Sequence, residues 1–233
     1  MGDILGVIFD KDGTLYDFEA TWGAWTRDLI AALSDGDGGL AARLAAAIGF
    51  DTARGCFDPA SPVIAGTSDE AADLIAPLLP QLPRAALIAR MSQAATAAPL
   101  VEAAPLAPLL AGLRGRGLRL GVATNDTEAS ARAHLASSGV GAAFDFIAGF
   151  DSGYGAKPGP GMLLGFADAM GLAPGAVVMV GDSRHDLLAG RAAGMRTLGV
   201  LTGPARTEAL APLADAVLPD IGHLPGWLDR RAG

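Results

Sequence analysis

The chain has 233 residues, of which 48 are Ala and 32 are Gly. Its formal net charge of −8 disfavours binding to nucleic acids or to anionic membrane surfaces, since both depend on clusters of Lys and Arg. A single cysteine, Cys56, excludes an intrachain disulfide and a zinc site built from several cysteines. No apolar run reaches the ~18 residues of a membrane span, and the N-terminus lacks a signal peptide's basic segment, so we expect a cytoplasmic protein.

Short apolar runs and helical patterns alternate along most of the chain. Five runs rich in Val, Ile, Leu or Phe are typical of buried parallel strands, at 4–9, 118–124, 144–149, 176–182 and 196–201. Helical patterns lie between them, at 105–115, 127–138, 160–170 and 184–193. This alternation predicts an α/β fold with a doubly wound, Rossmann-like parallel sheet.

One long segment after the first strand interrupts this alternation. Residues 17–98 contain no convincing strand. They do show amphipathic patterns that predict helices at 20–33, 39–48, 68–78 and 84–97. We therefore predict a small α-helical cap domain over 17–89, inserted into an α/β core domain formed by 1–16 and 90–233.

Polar side chains cluster just after the predicted strands. In open parallel sheets, ligands bind outside the carboxyl ends of the strands. The residues at these positions are Asp10, Lys11 and Asp12, then Thr124 and Asn125, then Lys157, and finally Asp182, Ser183 and Asp186. Because residues i and i+2 of an extended chain share a face, we expect Asp10 and Asp12 on one side and Lys11 on the other. Lys11 would then point either to solvent or to the cap.

This set of residues suits phosphoryl transfer. A carboxylate such as Asp10 can attack phosphorus, and the neighbouring Asp12 can protonate the leaving oxygen and later activate water. Asp182 could complete an oxygen-rich Mg²⁺ site with the first pair. We expect Thr124, Asn125 and Lys157 to hold the phosphoryl group by hydrogen bonds and positive charge.

Four segments together resemble the motifs of the haloacid dehalogenase-like hydrolase superfamily. They lie at 9–15, 123–126, 156–158 and 181–186, in the order and approximate spacing of that family. The helical insertion resembles the cap of phosphoglycolate-phosphatase-like members. The resemblance covers 1–16 and about 100–220 of the chain.

The resemblance also implies individual roles. Asp10 would be the nucleophile and a Mg²⁺ ligand, and Asp12 the general acid/base, whose backbone carbonyl also binds the metal. Asp182 would be the third protein ligand. Asp186, with Ser183 beside it, would orient Lys157 or a metal-bound water.

Asp12 separates the possible activities within this superfamily. Dehalogenase members lack an acid at this position, since halide displacement needs no leaving-group proton. We therefore expect a Mg²⁺-dependent phosphatase that acts on a small phosphorylated metabolite through an aspartyl-phosphate, with phosphoglycolate as one candidate. The alternatives are a phosphomutase of the β-phosphoglucomutase type, a catalytically idle phosphate-binding scaffold and, least favoured, a 2-haloacid dehalogenase.

In the cap, Trp22 and Arg54 are candidates for substrate specificity. The sequence leaves the oligomeric state open.

Overall fold

The computed structural model describes residues 3–58, 60–64, 66–96 and 98–232. Eight strands are described: β1 Gly6–Phe9, β2 Phe50–Asp51, β3 Cys56–Phe57, β4 Arg119–Ala123, β5 Phe146–Ala148, β6 Val177–Gly181, β7 Arg196–Val200 and β8 Ala216–Leu218. The α-helices are α1 Phe18–Ser34, α2 Gly38–Ala47, α3 Ser68–Ile75, α4 Arg84–Thr96, α5 Leu106–Gly115, α6 Glu128–Ser137, α7 Gly161–Met170, α8 Arg184–Ala192, α9 Thr207–Leu210 and α10 Leu224–Ala232. No helix in these ranges is both long and apolar enough to cross a membrane.

Six strands form one parallel sheet in the order β5-β4-β1-β6-β7-β8. β1 is central, and its Val7 pairs with Leu120 of β4 on one side and with Val178 of β6 on the other. The chain crosses from one side of β1 to the other between β5 and β6. In such sheets this change of direction opens a crevice at the carboxyl ends of the strands. The predicted doubly wound α/β fold is confirmed.

Helices cover both faces of this sheet. Successive side chains of a strand point to opposite faces, and in β1 the side chains on both faces are apolar and need cover. Val7 and Phe9 of β1 face a buried cluster that includes Leu110 of α5 and Trp227 of α10. Ile8 faces the opposite cluster, which includes Met162 and Phe166 of α7. Strands that are buried on both faces read as continuous apolar runs, which is why the sequence reveals five of the six.

The sixth strand, β8, is absent from the prediction. It spans three residues at the edge of the sheet and is followed by Pro219. Three residues are too few to show the alternation of a strand in the sequence. The pairing with β7 is what identifies β8 as a strand.

The described residues between 17 and 98 form a helical layer with its own buried cluster. Phe18 of α1, Leu44 of α2 and Ile75 of α3 belong to this cluster, together with Leu87 and Met91 of α4. The cluster therefore contains residues on both sides of residue 89. The division into a cap at 17–89 and a core that resumes at 90 stays a prediction.

This layer also contains a feature that the sequence analysis did not predict. β2 and β3 form a two-stranded antiparallel hairpin in which Phe50 pairs with Phe57. The strands are two residues each, so they lie below the length at which alternation is visible in the sequence.

Candidate active site

The crevice at the carboxyl ends of β1, β4 and β6 opens into a cavity of about 470 Å³, roofed by α1, α3 and α4. The predicted site residues that line it are Asp10, Asp12, Trp22, Thr124, Asn125, Lys157, Asp182, Ser183 and Asp186. Arg54 is not among the lining residues and lies exposed between β2 and β3. The structure thus brings together every predicted site residue except Arg54, whose role in specificity stays a prediction.

Asp10 and Lys157 form a buried ion pair at the base of the cavity. Lys157 Nζ lies 2.5 Å from Asp10 Oδ1, 2.7 Å from Asp186 Oδ1 and 2.7 Å from the carbonyl oxygen of Ala123. An ammonium has three N–H donors, so these contacts use all of them. Burial disfavours the charged amine, but the carboxylates of Asp10 and Asp186 outweigh this effect and raise the pKa of Lys157. The side chain is therefore a fixed positive charge.

Asn125 holds the backbone of Lys157 in place. Its side-chain Nδ2 donates to the Lys157 carbonyl at 3.0 Å, and its Oδ1 accepts the Lys157 N–H at 2.8 Å. This reciprocal pair ties the loop after β5 to the end of β4. The predicted contact between Asn125 and a phosphate is untested, but the amide already positions the cation.

Asp182 and Asp186 follow β6 and complete an acidic cluster with Asp10. One carboxylate oxygen from each of the three lies within 4.8 Å of the others. Burial, followed by the charges of Asp186 and Asp10, raises the pKa of Asp182 well above its usual value. Burial likewise raises the pKa of Asp10 to about 7, with Lys157 opposing the shift. Both shifts show that these closely spaced carboxyl groups do not all stay ionised beside Lys157 alone, and that a further cation would favour their charged forms.

This donor set fits a hard divalent cation such as Mg²⁺, which prefers carboxylate oxygens at a partly hydrated site. Asp186 already bonds Lys157 through Oδ1 and the Ser183 hydroxyl through Oδ2 at 2.6 Å. The Asp182 carboxylate is less engaged, since the hydroxyl of Thr14 contacts it at 3.5 Å. Asp10 and Asp182 are therefore the side chains best suited to hold a metal, and Asp186 is better suited to orienting Lys157.

Two glycines let the backbone close around Asp182. A Cβ on Gly13 or on Gly203 would overlap the Asp182 carboxylate, and Gly13 also has a φ of 81°, which favours glycine. The chain after β1 and the chain after β7 therefore approach this carboxylate more closely than any larger residue would allow.

The carboxylate of Asp12 is held by two donors from different parts of the fold. Trp22 Nε1 of α1 donates to Oδ1 at 2.9 Å, and Lys11 Nζ lies 2.6 Å from Oδ2. The expectation that Lys11 and Asp12 point to opposite sides is wrong. β1 ends at Phe9, and the following residues form a turn in which strand alternation no longer applies.

Lys11 is completely buried and lies at the centre of a second charged group. Its Nζ also contacts Asp126 Oδ2 at 3.1 Å and His134 Nδ1 at 3.1 Å. Because a lysine only donates, His134 Nδ1 accepts, and its Nε2–H donates to the carbonyl of Ala95 in α4 at 3.0 Å. Burial, followed by the charge of Lys11, lowers the pKa of His134, which favours this neutral ring.

Two further predicted residues stabilise the ends of their elements. Thr124 is buried at the end of β4, and its hydroxyl accepts the N–H of Asp126 at 3.1 Å. Ser183 begins α8 in a capping box with Asp186, in which each side chain accepts the other's backbone N–H. A contact of Thr124 with a phosphate stays a prediction.

The side of the cavity formed by residues 17–98 is mostly apolar, and we call it the apolar wall. Its aromatic side chains are Phe18, Trp22, Trp25 and Phe57, and its larger aliphatic ones are Leu29, Ile48, Ile64, Ile75 and Met91. Two polar atoms of lining residues, Trp25 Nε1 and Thr26 Oγ1, are buried without a hydrogen-bond partner. Among the described residues, one other buried side-chain atom, Glu19 Oε2, lacks a partner.

Sequence reasoning missed His134 and Thr26 as residues of this region; it noted Asp126 after a predicted strand and Trp25 beside Trp22 but chose neither as a site residue. The signal for Thr26 was available, because Trp22, Trp25, Thr26 and Leu29 recur at helical spacing and share one face of α1. No local signal identifies His134, which reaches Lys11 from 123 positions along the chain.

Comparison with known sequences supports the family indicated by this geometry. The family model for haloacid dehalogenase-like hydrolase matches residues 4–194. "Probable phosphatase IndB" of Dickeya dadantii is 39% identical over 111 residues, which cover 48% of each chain. A phosphoglycolate phosphatase of Rhodospirillum rubrum is 35% identical over 119 residues, covering 51% of this chain and 49% of its own. The chain thus spans about half the length of these curated relatives.

Comparison with solved structures supports the fold over nearly the whole chain. A predicted phosphoglycolate phosphatase from Haemophilus somnus has a TM-score of 0.72 at 18% identity and covers 97% of this chain and 99% of its own. A putative haloacid dehalogenase-like hydrolase from Bacteroides fragilis has a TM-score of 0.70 at 21% identity and covers 95% of this chain and 100% of its own. The match of the family model, the parallel sheet and the residues at its carboxyl edge agree: this chain belongs to the haloacid dehalogenase-like hydrolase family.

Proposed function

We propose that this chain is a Mg²⁺-dependent phosphatase that hydrolyses a small phosphomonoester through an aspartyl-phosphate on Asp10. The observation that carries the proposal is the placement of Asp10. Its carboxylate lies at the base of a cavity, fixed by the Lys157 ammonium and adjacent to Asp182. A phosphate that enters this cavity would meet a nucleophile, a cation and an acid/base in one place.

In the first step, a carboxylate oxygen of Asp10 attacks phosphorus and the bond from phosphorus to the alcohol oxygen breaks. Asp12 donates a proton to that leaving oxygen. In the second step, Asp12 takes a proton from a water that attacks phosphorus, and the bond from phosphorus to Asp10 breaks. The products are the alcohol and inorganic phosphate, and both carboxyl groups return to their starting states.

The other residues stabilise charge and position the reacting groups. Lys157 provides positive charge beside the transferring oxygens, which is the main catalytic requirement of phosphoryl transfer. Asp10, the backbone carbonyl of Asp12, and Asp182 would hold the Mg²⁺, which supplies further charge neutralisation when bound. The roof of α1, α3 and α4 separates the reacting groups from bulk water.

The substrate is a small phosphorylated metabolite, in keeping with the size of the cavity and the cytoplasmic location expected from the sequence. Phosphoglycolate belongs among the compounds to assay because several curated relatives carry it in their names. The oligomeric state does not enter this proposal, since all the catalytic groups come from one chain.

The test is the Asp10→Asn variant, assayed for Mg²⁺-dependent hydrolysis of 4-nitrophenyl phosphate. We expect loss of turnover with an unchanged circular dichroism spectrum, because the amide is nearly the same size but is a poor nucleophile. Asp229→Asn is the matched control, since Asp229 is a surface residue paired with Arg116. Wild-type turnover by Asp10→Asn would rule out the mechanism.

The alternatives predict different products. A phosphomutase of the β-phosphoglucomutase type would isomerise a hexose phosphate instead of releasing phosphate. A 2-haloacid dehalogenase would release chloride, although its leaving group needs no acid at the position of Asp12. An idle phosphate-binding scaffold would show no Mg²⁺-stimulated hydrolysis of any phosphomonoester.

A further inference from the structure

The composition of the cavity bears on the part of the substrate that remains after phosphate is removed. At the base of the cavity, the polar residues surround the position for the phosphate. Opposite them, the apolar wall presents aromatic and aliphatic side chains from α1, the hairpin, α3 and α4. The part of the substrate beyond the phosphate would therefore lie against the apolar wall and contact mainly carbon atoms.

Positive charge is confined to the base of the cavity. Among the described lining residues, the basic ones are Lys157 and His185, which both come from the core. Lys157 is fully engaged by Asp10, Asp186 and Ala123. The Arg54 side chain, which the sequence suggested as a candidate for substrate specificity, is exposed outside the cavity.

The acidic residues of the cavity already use the lysines near it. Asp12 and Asp126 pair with Lys11, and Asp10 and Asp186 pair with Lys157. Neither lysine is therefore left to pair with a carboxylate on the alcohol part of the substrate. Such a carboxylate would be buried against the apolar wall without a partner, and an unpaired buried charge carries a large desolvation cost.

We propose that the physiological substrate is the phosphate monoester of an uncharged, mainly apolar alcohol, and that a short anionic ester such as phosphoglycolate is a poor substrate. This inference rests on the proposed phosphatase function and specifies its substrate class. The cavity of about 470 Å³ falls within the usual ~300–1,000 Å³ of small-molecule sites. It is larger than a phosphate with a two-carbon acid requires, and it leaves room for a ring or a branched chain.

The experiment compares hydrolysis of 2-phenylethyl phosphate and phosphoglycolate by the wild-type protein with Mg²⁺. Both esters release an alkyl alcohol, and glycolate is the better leaving group, so chemical reactivity alone favours phosphoglycolate. We expect kcat/KM for 2-phenylethyl phosphate to be higher by at least about tenfold, the range in which apolar pockets discriminate. Equal or higher kcat/KM for phosphoglycolate would overturn the inference.

A variant tests whether the apolar wall causes this preference. Leu29→Arg places a cation on the wall at a half-buried position of α1. We expect it to shift the ratio of the two kcat/KM values toward phosphoglycolate by about tenfold or more. If Leu29→Arg does not fold, Ala71→Arg on α3 supplies the charge from another half-buried lining position. An unchanged ratio in a folded variant would count against the wall as the determinant.

Hydrolysis of 4-nitrophenyl phosphate separates failure of this inference from failure of the proposed function. If that activity is present and is lost in Asp10→Asn, the phosphatase function stands whatever the substrate preference. If neither 4-nitrophenyl phosphate nor the two alkyl esters are hydrolysed, both the proposed function and the substrate class are wrong.

Discussion

The indole N–H of Trp22 donates to Asp12 Oδ1 at 2.9 Å and thereby links the helical layer to the proposed acid/base of the core. Trp22 lies on α1, whereas Asp12 lies in the turn after β1. The contact makes the position of the Asp12 carboxylate dependent on the position of α1. A residue considered for substrate contact is thus also a positioning residue for the proposed proton transfer.

We expect Trp22→Phe to lower kcat for 4-nitrophenyl phosphate by about tenfold, since a hydrogen bond to a charged group contributes ~1.5–3 kcal/mol. The phenyl ring keeps most of the apolar contact but cannot donate to Asp12. Trp25→Phe is the matched control, because the indole N–H of Trp25 has no hydrogen-bond partner. Equal kcat values for the two variants would show that the Trp22 hydrogen bond has no role in turnover.

Lys157 is one of only two lysines in a chain with 15 arginines, and its surroundings explain why arginine is unsuitable there. Oxygen atoms of Asp10, Asp186 and Ala123 lie 2.5–2.7 Å from Lys157 Nζ, and Lys157 is only 5% exposed. A guanidinium is larger and planar, so it cannot reproduce this arrangement. We expect Lys157→Arg to lower kcat/KM by about a hundredfold or more although the charge is kept.

Arg132→Lys on the surface of α6 is the control for a swap between the two cations. Arg132 forms an exposed pair with Glu128, for which either cation suffices. Lys157→Arg with wild-type kinetics would show that the site needs only charge and not a compact ammonium.

The buried His134 predicts a loss of stability in mild acid. Its pKa is lowered by burial and by Lys11, so the unfolded chain takes up a proton at a higher pH than the folded protein. The neutral His134 therefore contributes its full share to the free energy of unfolding above the ordinary histidine pKa of ~6.5. That share is lost as the pH falls through the pKa of His134 in the folded protein. Protonation would also place a second positive charge beside Lys11.

We expect the free energy of unfolding of the wild type to fall more steeply between about pH 7.5 and about pH 5.5 than that of His134→Gln. Glutamine can still accept from Lys11 and donate to Ala95, but it does not titrate in this range. Urea titrations at the two pH values give the comparison. Parallel slopes for the two proteins would contradict the assignment of a neutral histidine.

Thr26 and Thr21 give opposite expectations for the same substitution on one helix. The hydroxyl of Thr26 is buried without a partner, whereas that of Thr21 accepts the N–H of Val101 at 3.2 Å. Removing an unsatisfied polar group relieves a cost of ~1–3 kcal/mol, and removing a satisfied one loses ~1 kcal/mol. Thr and Val have similar helix propensities, so that term cancels.

We therefore expect Thr26→Val to raise the free energy of unfolding by about 1 kcal/mol and Thr21→Val to lower it by about the same amount. Urea denaturation of both variants beside the wild type measures the difference. Destabilisation by Thr26→Val equal to that by Thr21→Val would mean that the Thr26 hydroxyl has a partner in solution.

Much of the architecture is readable from the sequence because local patterns report it directly. The central strands are buried on both faces, so they appear as apolar runs, and helices such as α6 and α8 begin at capping residues. Carboxyl ends of parallel strands meet at one edge, so the predicted order of elements is enough to group Asp10, Asp182 and Lys157 in one region.

The tertiary structure decided what depends on contacts between distant segments. The sequence could not show that Lys11 is buried between Asp12 and Asp126, because the turn after β1 breaks the alternation on which its placement rested. It could not place Arg54 outside the cavity or His134 against Lys11, since neither position has a local pattern. Periodicity determines which face of an element is apolar, whereas the partner of a buried charge is set by packing, because a charge excluded from water is stable only beside whatever opposite charge the fold brings to it.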